Sequence, residues 1–350
     1  MHMADALLSP AVGGTMWAAS AGTIAYCSRK MREEPDDGKV PLMGVLGAFL
    51  FSAQMINFTI PATGSSGHLG GGLLLTILLG PHAAFLTIAS VLVVQALFFA
   101  DGGLLALGCN IFNMGFIPAF IVYPLIYKKI VGSQRSRARF TAAVMISAIA
   151  GLQLGPLAVV LETWLSGISA LPFSAFVFLM QPIHLAIGIV EGVVTVAVIA
   201  FVLKARPEII QDAPAALPDG THPMRTVIAA FLVAAVLTGG IVSWFASQDP
   251  DGLEWAIAKV TGNKELRGPE QGLHGMLSAL QEKTALLPDY SFRKPAEARH
   301  EAAQPEGGKN KDEKSRLGTS VSGVAGGLLT LAIAVATGLV LKRRARPGNP

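Results

Sequence analysis

Long apolar stretches alternate with short polar blocks along the whole chain. The apolar runs cover roughly 11–28, 41–60, 69–99, 104–127, 140–161, 173–203, 226–246 and 319–341. A helix of about 20 apolar residues crosses a hydrocarbon core of about 30 Å, so the pattern predicts an all-α polytopic membrane protein. The run 69–99 contains no Lys, Arg, Asp or Glu. As one straight helix it would reach about 46 Å, too long for a single crossing. Gly80-Pro81 interrupts it, and proline breaks or starts helices, which predicts a short helix near 70–80 followed by a full span near 82–99.

Charge placement converts these runs into a topology. Only 14% of the 350 residues are charged and 52% are hydrophobic, whereas soluble domains carry about 25% charge. A soluble enzyme and a nucleic-acid-binding protein are thereby excluded as main readings, and two cysteines, Cys27 and Cys109, exclude a disulfide scaffold. Basic residues cluster at 29–39 (Arg29, Lys30, Arg32, Lys39), 128–139 (Lys128, Lys129, Arg135, Arg137, Arg139), 204–225 (Lys204, Arg206, Arg225) and 342–346 (Lys342, Arg343, Arg344, Arg346). The positive-inside rule assigns all four clusters to the cytoplasm. Segments 61–72, 100–106 and 162–172 contain no Lys or Arg. Returning to the inside by residue 128 then requires an odd number of crossings after residue 61, and three crossings use all the apolar sequence. The expectation is nine spans, with the N-terminus outside and the C-terminus cytoplasmic. A crossing by 70–80 alone is short, so the loop 61–69 must dip into the bundle from outside and carry His68 with it.

The expected organisation is a seven-span unit (1–204), a Pro-containing cytoplasmic linker (205–225) and a two-span unit (226–350). The last contains a charged, extracytoplasmic insert at 247–318 whose second half, Arg293 to Arg316, is polar and expected to be flexible. No basic n-region precedes the first apolar run, so the N-terminus does not read as a secretory signal. Met1 is expected to be retained, because aminopeptidase trimming needs a small second residue and His2 is bulky.

Two of the seven histidines attract attention from topology alone: His2, at the outer end, and His68, in the dipping loop. A free amine followed by His is a chelator. The Met1 amine, the His2 amide nitrogen and the His2 imidazole close two fused chelate rings, and the His68 imidazole would complete a four-nitrogen set. Planar nitrogen sets suit Ni(II) and Cu(II), whereas zinc usually takes tetrahedral sites. The plainer alternative is a frayed terminal His2 and a loop His68. Other polar residues lie within apolar runs. Gln95, Asn110 and Asn113 either orient the metal-bound imidazoles or form interhelical hydrogen bonds. His184 and Glu191 lie seven residues apart on nearly one helix face. They form a structural polar network, a coupling contact or a proton relay, and the network is favoured because no chain of further acids supports a relay. His82 follows Gly-Pro at a turn and is read as incidental. Asp249, Asp251 and Glu254 could attract cations. The preferred expectation is that Pro250-Asp251-Gly252 forms a turn and Asp251 caps a helix from Leu253 onward. Small-residue pairs at Ala18/Gly22, Ala21/Ala25, Gly188/Gly192 and Gly323/Gly327 permit close helix packing. No phosphate-binding Gly-rich loop ending in Gly-Lys-Ser/Thr occurs.

Several motifs carry a family resemblance: Met1-His2-Met3, Gly-Ser-Ser-Gly-His-Leu-Gly-Gly (64–71), Leu-Leu-Gly-Pro (78–81), Val-Gln-Ala-Leu-Phe-Phe-Ala-Asp-Gly-Gly (94–103), Asn-Ile-Phe-Asn-Met-Gly (110–115) and His184-Leu-Ala-Ile-Gly-Ile-Val-Glu191-Gly192. Over residues 1–203 the chain resembles the CbiM/NikM family, the nickel/cobalt substrate-capture components of energy-coupling-factor transporters. The resemblance implies seven helices in this unit and metal ligation by the Met1 amine, the His2 amide and imidazole, and the His68 imidazole. It implies Ni2+ or Co2+ as transported substrate and no organic cofactor. The implied partners are a transmembrane scaffold subunit and two cytoplasmic ABC-type ATPases, with membrane lipid around the chain. In that transporter class small residues on the first core helices face the scaffold. Asp249-Pro250-Asp251-Gly252-Leu253-Glu254-Trp255 resembles the PDGLE signature of the small two-span auxiliary subunit, here fused at the C-terminus.

The leading expectation is therefore a metal-capture transport subunit rather than an enzyme, with nickel favoured over cobalt. A stand-alone proton-coupled metal transporter using Glu191 and His184 is one alternative, and a membrane metal sensor is another.

Overall fold

The computed structural model of the chain describes all residues except 1, 35, 37, 133–135, 211–221, 264, 265, 267, 270, 294–308 and 346–350. Helix α1 (Pro10–Glu33) starts where Ser9 Oγ accepts the Val12 amide and Pro10 occupies a first-turn position that needs no N–H donor. Helix α2 (Lys39–Gln54) is almost wholly buried. The second apolar run is then cut short by an antiparallel hairpin, β1 (Phe58–Ile60) and β2 (Ser65–Gly67), with Phe58 opposite Gly67 and Ile60 opposite Ser65. Apolar content alone gave no sign of this hairpin. Its turn places Ala62 and Gly64 in the left-handed region.

The break expected at Gly80-Pro81 is present. Helix α3 (Gly72–Leu79) ends at Gly80, whose φ is 79°, and α4 (Pro81–Phe99) begins at the proline. At eight residues, α3 is only about 12 Å long and fully buried, so neighbouring helices shield it. Helix α5 (Leu107–Val131) follows. Its middle, Phe112–Tyr127, is wound more widely as π-helix around Pro118 and Pro124, an arrangement that redistributes hydrogen bonds where proline removes donors. The next helices are α6 (Arg137–Ser166), α7 (Phe173–Ala205) and α8 (Met224–Gly240). Beyond them lie α9 (Gly252–Thr261), α10 (Gly272–Thr284) and α11 (Lys309–Ala345).

Each apolar run thus carries a helix. Among the described residues α4, α5, α6, α7 and the Arg316–Lys342 portion of α11 are long and apolar enough to cross a membrane, while α2 and α8 are shorter apolar helices. The chain is a multi-pass membrane protein.

Small residues determine which helices approach closely. A side chain on Gly323 of α11 would collide with the Gly239 carbonyl of α8, and one on Gly326 would collide with the Phe51 ring of α2. Gly188 and Gly192 of α7 leave room for Ile149 and Met145 of α6. These are the close-packing roles such residues have between membrane helices. By contrast, a side chain on Gly14 or Gly22 of α1 would meet nothing within 4 Å.

Residues 211–221 lie outside the described residues, but α8 and α11 are not a separate body: both pack on α2, and the Ala334 methyl is fully buried in the core shared with the first unit. The described half of the insert is not detached either. His274 of α10 hydrogen-bonds the Leu8 carbonyl at 2.8 Å, which brings α10 onto the N-terminal segment. The stretch expected to be flexible falls largely among the undescribed residues.

Candidate metal centre

The centre is built on two clamped segments. The first is the N-terminus. The Met3 amide donates to Asn110 Oδ1 at 2.9 Å, Asn110 Nδ2 donates back to the Met3 carbonyl at 3.3 Å, and the Gly103 amide donates to that carbonyl at 2.9 Å. The Met3 side chain is fully buried, and the Asp5 carboxylate accepts the Ala106 amide at 2.9 Å. His2 therefore lies one position ahead of a three-bond clamp.

The second segment is the loop from β2 into α3. The Glu191 carboxylate of α7 accepts the Gly70 amide at 2.6 Å and the Gly71 amide at 3.1 Å. Gln54 Nε2 donates to the Gly70 carbonyl at 2.9 Å, and Gln95 Nε2 donates to Gln54 Oε1 at 2.9 Å. On the other flank Ser66 donates its amide to the Pro250 carbonyl at 2.8 Å and its hydroxyl to the Asp249 carbonyl at 2.7 Å. His68 is thus held between α7 on one side and the insert on the other.

These clamps bring His2 and His68 together. Their rings stack with centroids 5.1 Å apart and planes within 10°. His68 Nδ1 faces the Leu69 carbonyl at 3.1 Å, which leaves Nε2 as the ring nitrogen on the opposite side. Burial holds the His68 imidazole well below its usual pKa. His2 Nδ1 lies 3.0 Å from the Asp101 carboxylate, and His2 Nε2 is buried without a hydrogen-bond partner. Met1 lies outside the described residues.

Asp101 is a site residue that charge patterning missed, because an acid at a span end reads as interfacial. It sits in the turn after α4, where Ala100 is left-handed and the Asp101 amide returns to the Gln95 carbonyl. Its second oxygen accepts the hydroxyl of Tyr290, from the insert. Burial alone would raise the Asp101 pKa. The adjoining His2 ring and the Tyr290 hydroxyl outweigh that and hold the carboxyl below its usual range. Burial, reinforced by the Asp101 charge, pushes the Tyr290 phenol well above its usual value, so it stays a donor.

The two histidines open onto a vestibule of about 590 Å³ roofed by the insert. Asp5, Asp101, Asp251, Glu254 and Asp289 line it, with no Lys or Arg among its described lining residues. Asp251 behaves as expected of a helix cap. Its carboxylate accepts the Leu253 and Glu254 amides while Glu254 accepts the Asp251 amide, a complete capping box for α9. No group of three or more His, Cys, Asp or Glu among the described residues is arranged to hold a metal ion.

The remaining candidates separate. Asn110 orients the centre through the Met3 backbone. Gln95 supports the His68 loop through Gln54. Asn113 touches neither histidine: its amide donates to Glu162 Oε2 at 2.8 Å, a buried α6 carboxylate that sequence reasoning passed over. Glu191 is bound to the Gly70 and Gly71 amides, whereas His184 donates from Nδ1 to the Met180 carbonyl at 2.7 Å. His184 and Glu191 both line a cavity of about 40 Å³ beneath His68. His82 packs against Tyr26 and Phe120, away from the centre.

A polytopic helical bundle that brings two imidazoles together in an acid-lined cavity is compatible with a membrane protein that handles transition metal. Comparison with known proteins agrees. Residues 2–209 match the model of the CbiM family, "cobalt uptake substrate-specific transmembrane region", and residues 225–343 match the PDGLE domain. The chain belongs to the CbiM family of nickel/cobalt transport membrane proteins, with a PDGLE domain fused behind it. A putative metal transport protein of Haloquadratum walsbyi is 37% identical over 212 residues, covering 60% of this chain and 93% of the relative. A putative fused nickel transport protein NikMN of Archaeoglobus fulgidus is 34% identical over 242 residues, covering 68% of this chain and 79% of the relative. The crystal structure of a truncated transition metal transporter superposes with TM-score 0.52 at 33% identity, over 58% of this chain and 98% of that one.

Proposed function

We propose that this chain captures Ni(II), in preference to Co(II), on the outer face of the cell membrane and passes it to an ATP-driven importer. The ligands in this reading are the Met1 amine, the His2 amide and imidazole, and the His68 imidazole. The observation that carries it is the meeting of His2 and His68, distant in sequence, as near-parallel rings that line one acid-rich cavity. The lack of a three-residue His, Cys or carboxylate cluster among the described residues supports completion of the set by backbone and terminal nitrogens. Four nitrogens in a plane favour nickel over ions that prefer tetrahedral or all-oxygen sites. Extending the chain by residues ahead of Met1 is expected to remove high-affinity Ni(II) binding, measured by calorimetry on purified protein; unchanged binding would refute the assignment. Metal analysis after Ni(II)/Co(II) competition tests the preference.

Hydrolysis of ATP is assigned to separate subunits, since the chain lacks a phosphate-binding loop. The docking face for the scaffold subunit is α1, where Ala11, Gly14, Ala18, Gly22 and Ala25 are all exposed on successive turns. Small residues on an open helix face let a partner helix approach closely. Gly22→Leu is expected to abolish ATP-driven uptake in vesicles containing all subunits. Ni(II) affinity of the isolated chain should stay within about twofold, because α1 faces away from the ligands at that position.

A further inference from the structure

We propose that Tyr290, in the PDGLE insert, is a positioning residue for metal capture: it holds the Asp101 carboxylate that His2 must release when it takes a metal ion. The inference rests on the ligand set proposed above and gives the insert a defined part in it.

A ring nitrogen has one in-plane position, which either bears a proton or donates its lone pair to a metal. His2 Nδ1 is the nitrogen that closes a chelate ring with the residue's own amide. In the structure it faces Asp101 Oδ1 at 3.0 Å. Chelation therefore requires the tautomer whose proton sits on Nε2 instead of Nδ1, and it takes a hydrogen bond away from Asp101. A desolvated carboxylate stripped of all donors is costly. Asp101 keeps one, because its other oxygen accepts the Tyr290 hydroxyl. Tyr290 also draws charge from the carboxylate before capture and so weakens the grip of Asp101 on His2. Both effects favour the metal-bound arrangement.

The surroundings fit a placed hydroxyl rather than a chance contact. The Tyr290 ring stacks on Phe99 with centroids 5.1 Å apart and meets Phe51 edge-on at 6.2 Å. Gln281 Nε2 donates to the Gly102 carbonyl at 2.7 Å and to the Ala96 carbonyl at 2.9 Å, gripping the turn that carries Asp101 from both sides. The Leu287 amide donates to the Phe98 carbonyl at 3.2 Å. Asp289 and Tyr290 both have positive φ, 50° and 55°. Neither is glycine, and two successive residues in that region persist only where surrounding contacts impose it.

The test is Ni(II) titration of the purified full-length chain and its Tyr290→Phe, Asp101→Asn and doubly substituted forms, with the visible absorption of bound nickel recorded. Phenylalanine preserves the stacking, so only the hydroxyl is removed. Tyr290→Phe is expected to weaken Ni(II) binding about tenfold with no change in stoichiometry or absorption bands, because no ligand is lost. In the Asp101→Asn background the same substitution should have no further effect, since Tyr290 acts through Asp101. Wild-type affinity in Tyr290→Phe, a tenfold loss that persists in Asp101→Asn, or shifted bands would each overturn the proposal while leaving nickel capture standing. Failure of the wild-type chain to bind Ni(II) would overturn both.

Discussion

Replacing His68 with alanine is expected to lower Ni(II) affinity by at least about 100-fold, with little loss of folding stability. Losing an outer-shell partner of a metal ligand costs 10–100-fold, and losing a ligand costs more. In this reading His68 contributes an imidazole nitrogen to the metal, and its Nδ1 faces the Leu69 carbonyl of its own loop. Its removal deletes that ligand. The loop itself is held by Glu191, Gln54 and Ser66, none of which depends on the imidazole. Calorimetric titration checks the affinity, and thermal unfolding in detergent without metal checks the scaffold. If the variant binds Ni(II) as tightly as the wild type, His68 is not a ligand. If it unfolds well below the wild type, the ring is structural.

What the sequence made legible was local or one-dimensional. Apolar runs located the helices, Gly80-Pro81 located the α3/α4 break, and Asp251-Gly252-Leu253-Glu254 announced the α9 cap. Charge parity put the His68 loop on the side of the N-terminus, and the structure brings the two together. What it missed depended on pairings between distant segments, which leave no periodicity. The hairpin 58–67 has three-residue strands hidden at the polar end of an apolar run, and the insert bonds both of its arms, Pro250 at Ser66 of β2 and Ser247 at Asn57 just ahead of β1. Asp101 and Tyr290 are separated by most of the chain, and neither has a local motif that would pair them. For Gln95 the sequence leaves open a partner of the histidines or an interhelical hydrogen bond, and its amide makes an interhelical bond to Gln54. Glu191 and His184 share a helix face as the spacing required, yet Glu191 binds backbone amides and His184 Nδ1 a backbone carbonyl, while His184 Nε2 is buried without a hydrogen-bond partner.

Glu191 carries the second large effect. Glu191→Leu is expected to destabilise the protein by about 3–5 kcal/mol and to reduce Ni(II) affinity severely. The carboxylate accepts two adjacent amides, from Gly70 and Gly71, at the start of α3. Leucine leaves both N–H groups buried without acceptors, at roughly 1–3 kcal/mol each. The loop must then shift, and His68 shifts with it. Glu191→Gln separates this role from proton coupling. Glutamine offers one acceptor oxygen and an NH2 that opposes the second amide, so stability and affinity should both fall by an intermediate amount. A relay residue would behave differently: glutamine would stop transport while binding and stability stayed at wild-type values. The observed hydrogen bonds favour the first outcome, since both oxygens are already committed to the loop. Unfolding temperature, Ni(II) affinity and vesicle uptake measured on the same variant decide between them. Uptake that declines in step with affinity makes Glu191 the anchor of the His68 loop. Loss of uptake alone would restore the proton-coupled transporter as the better account of this chain.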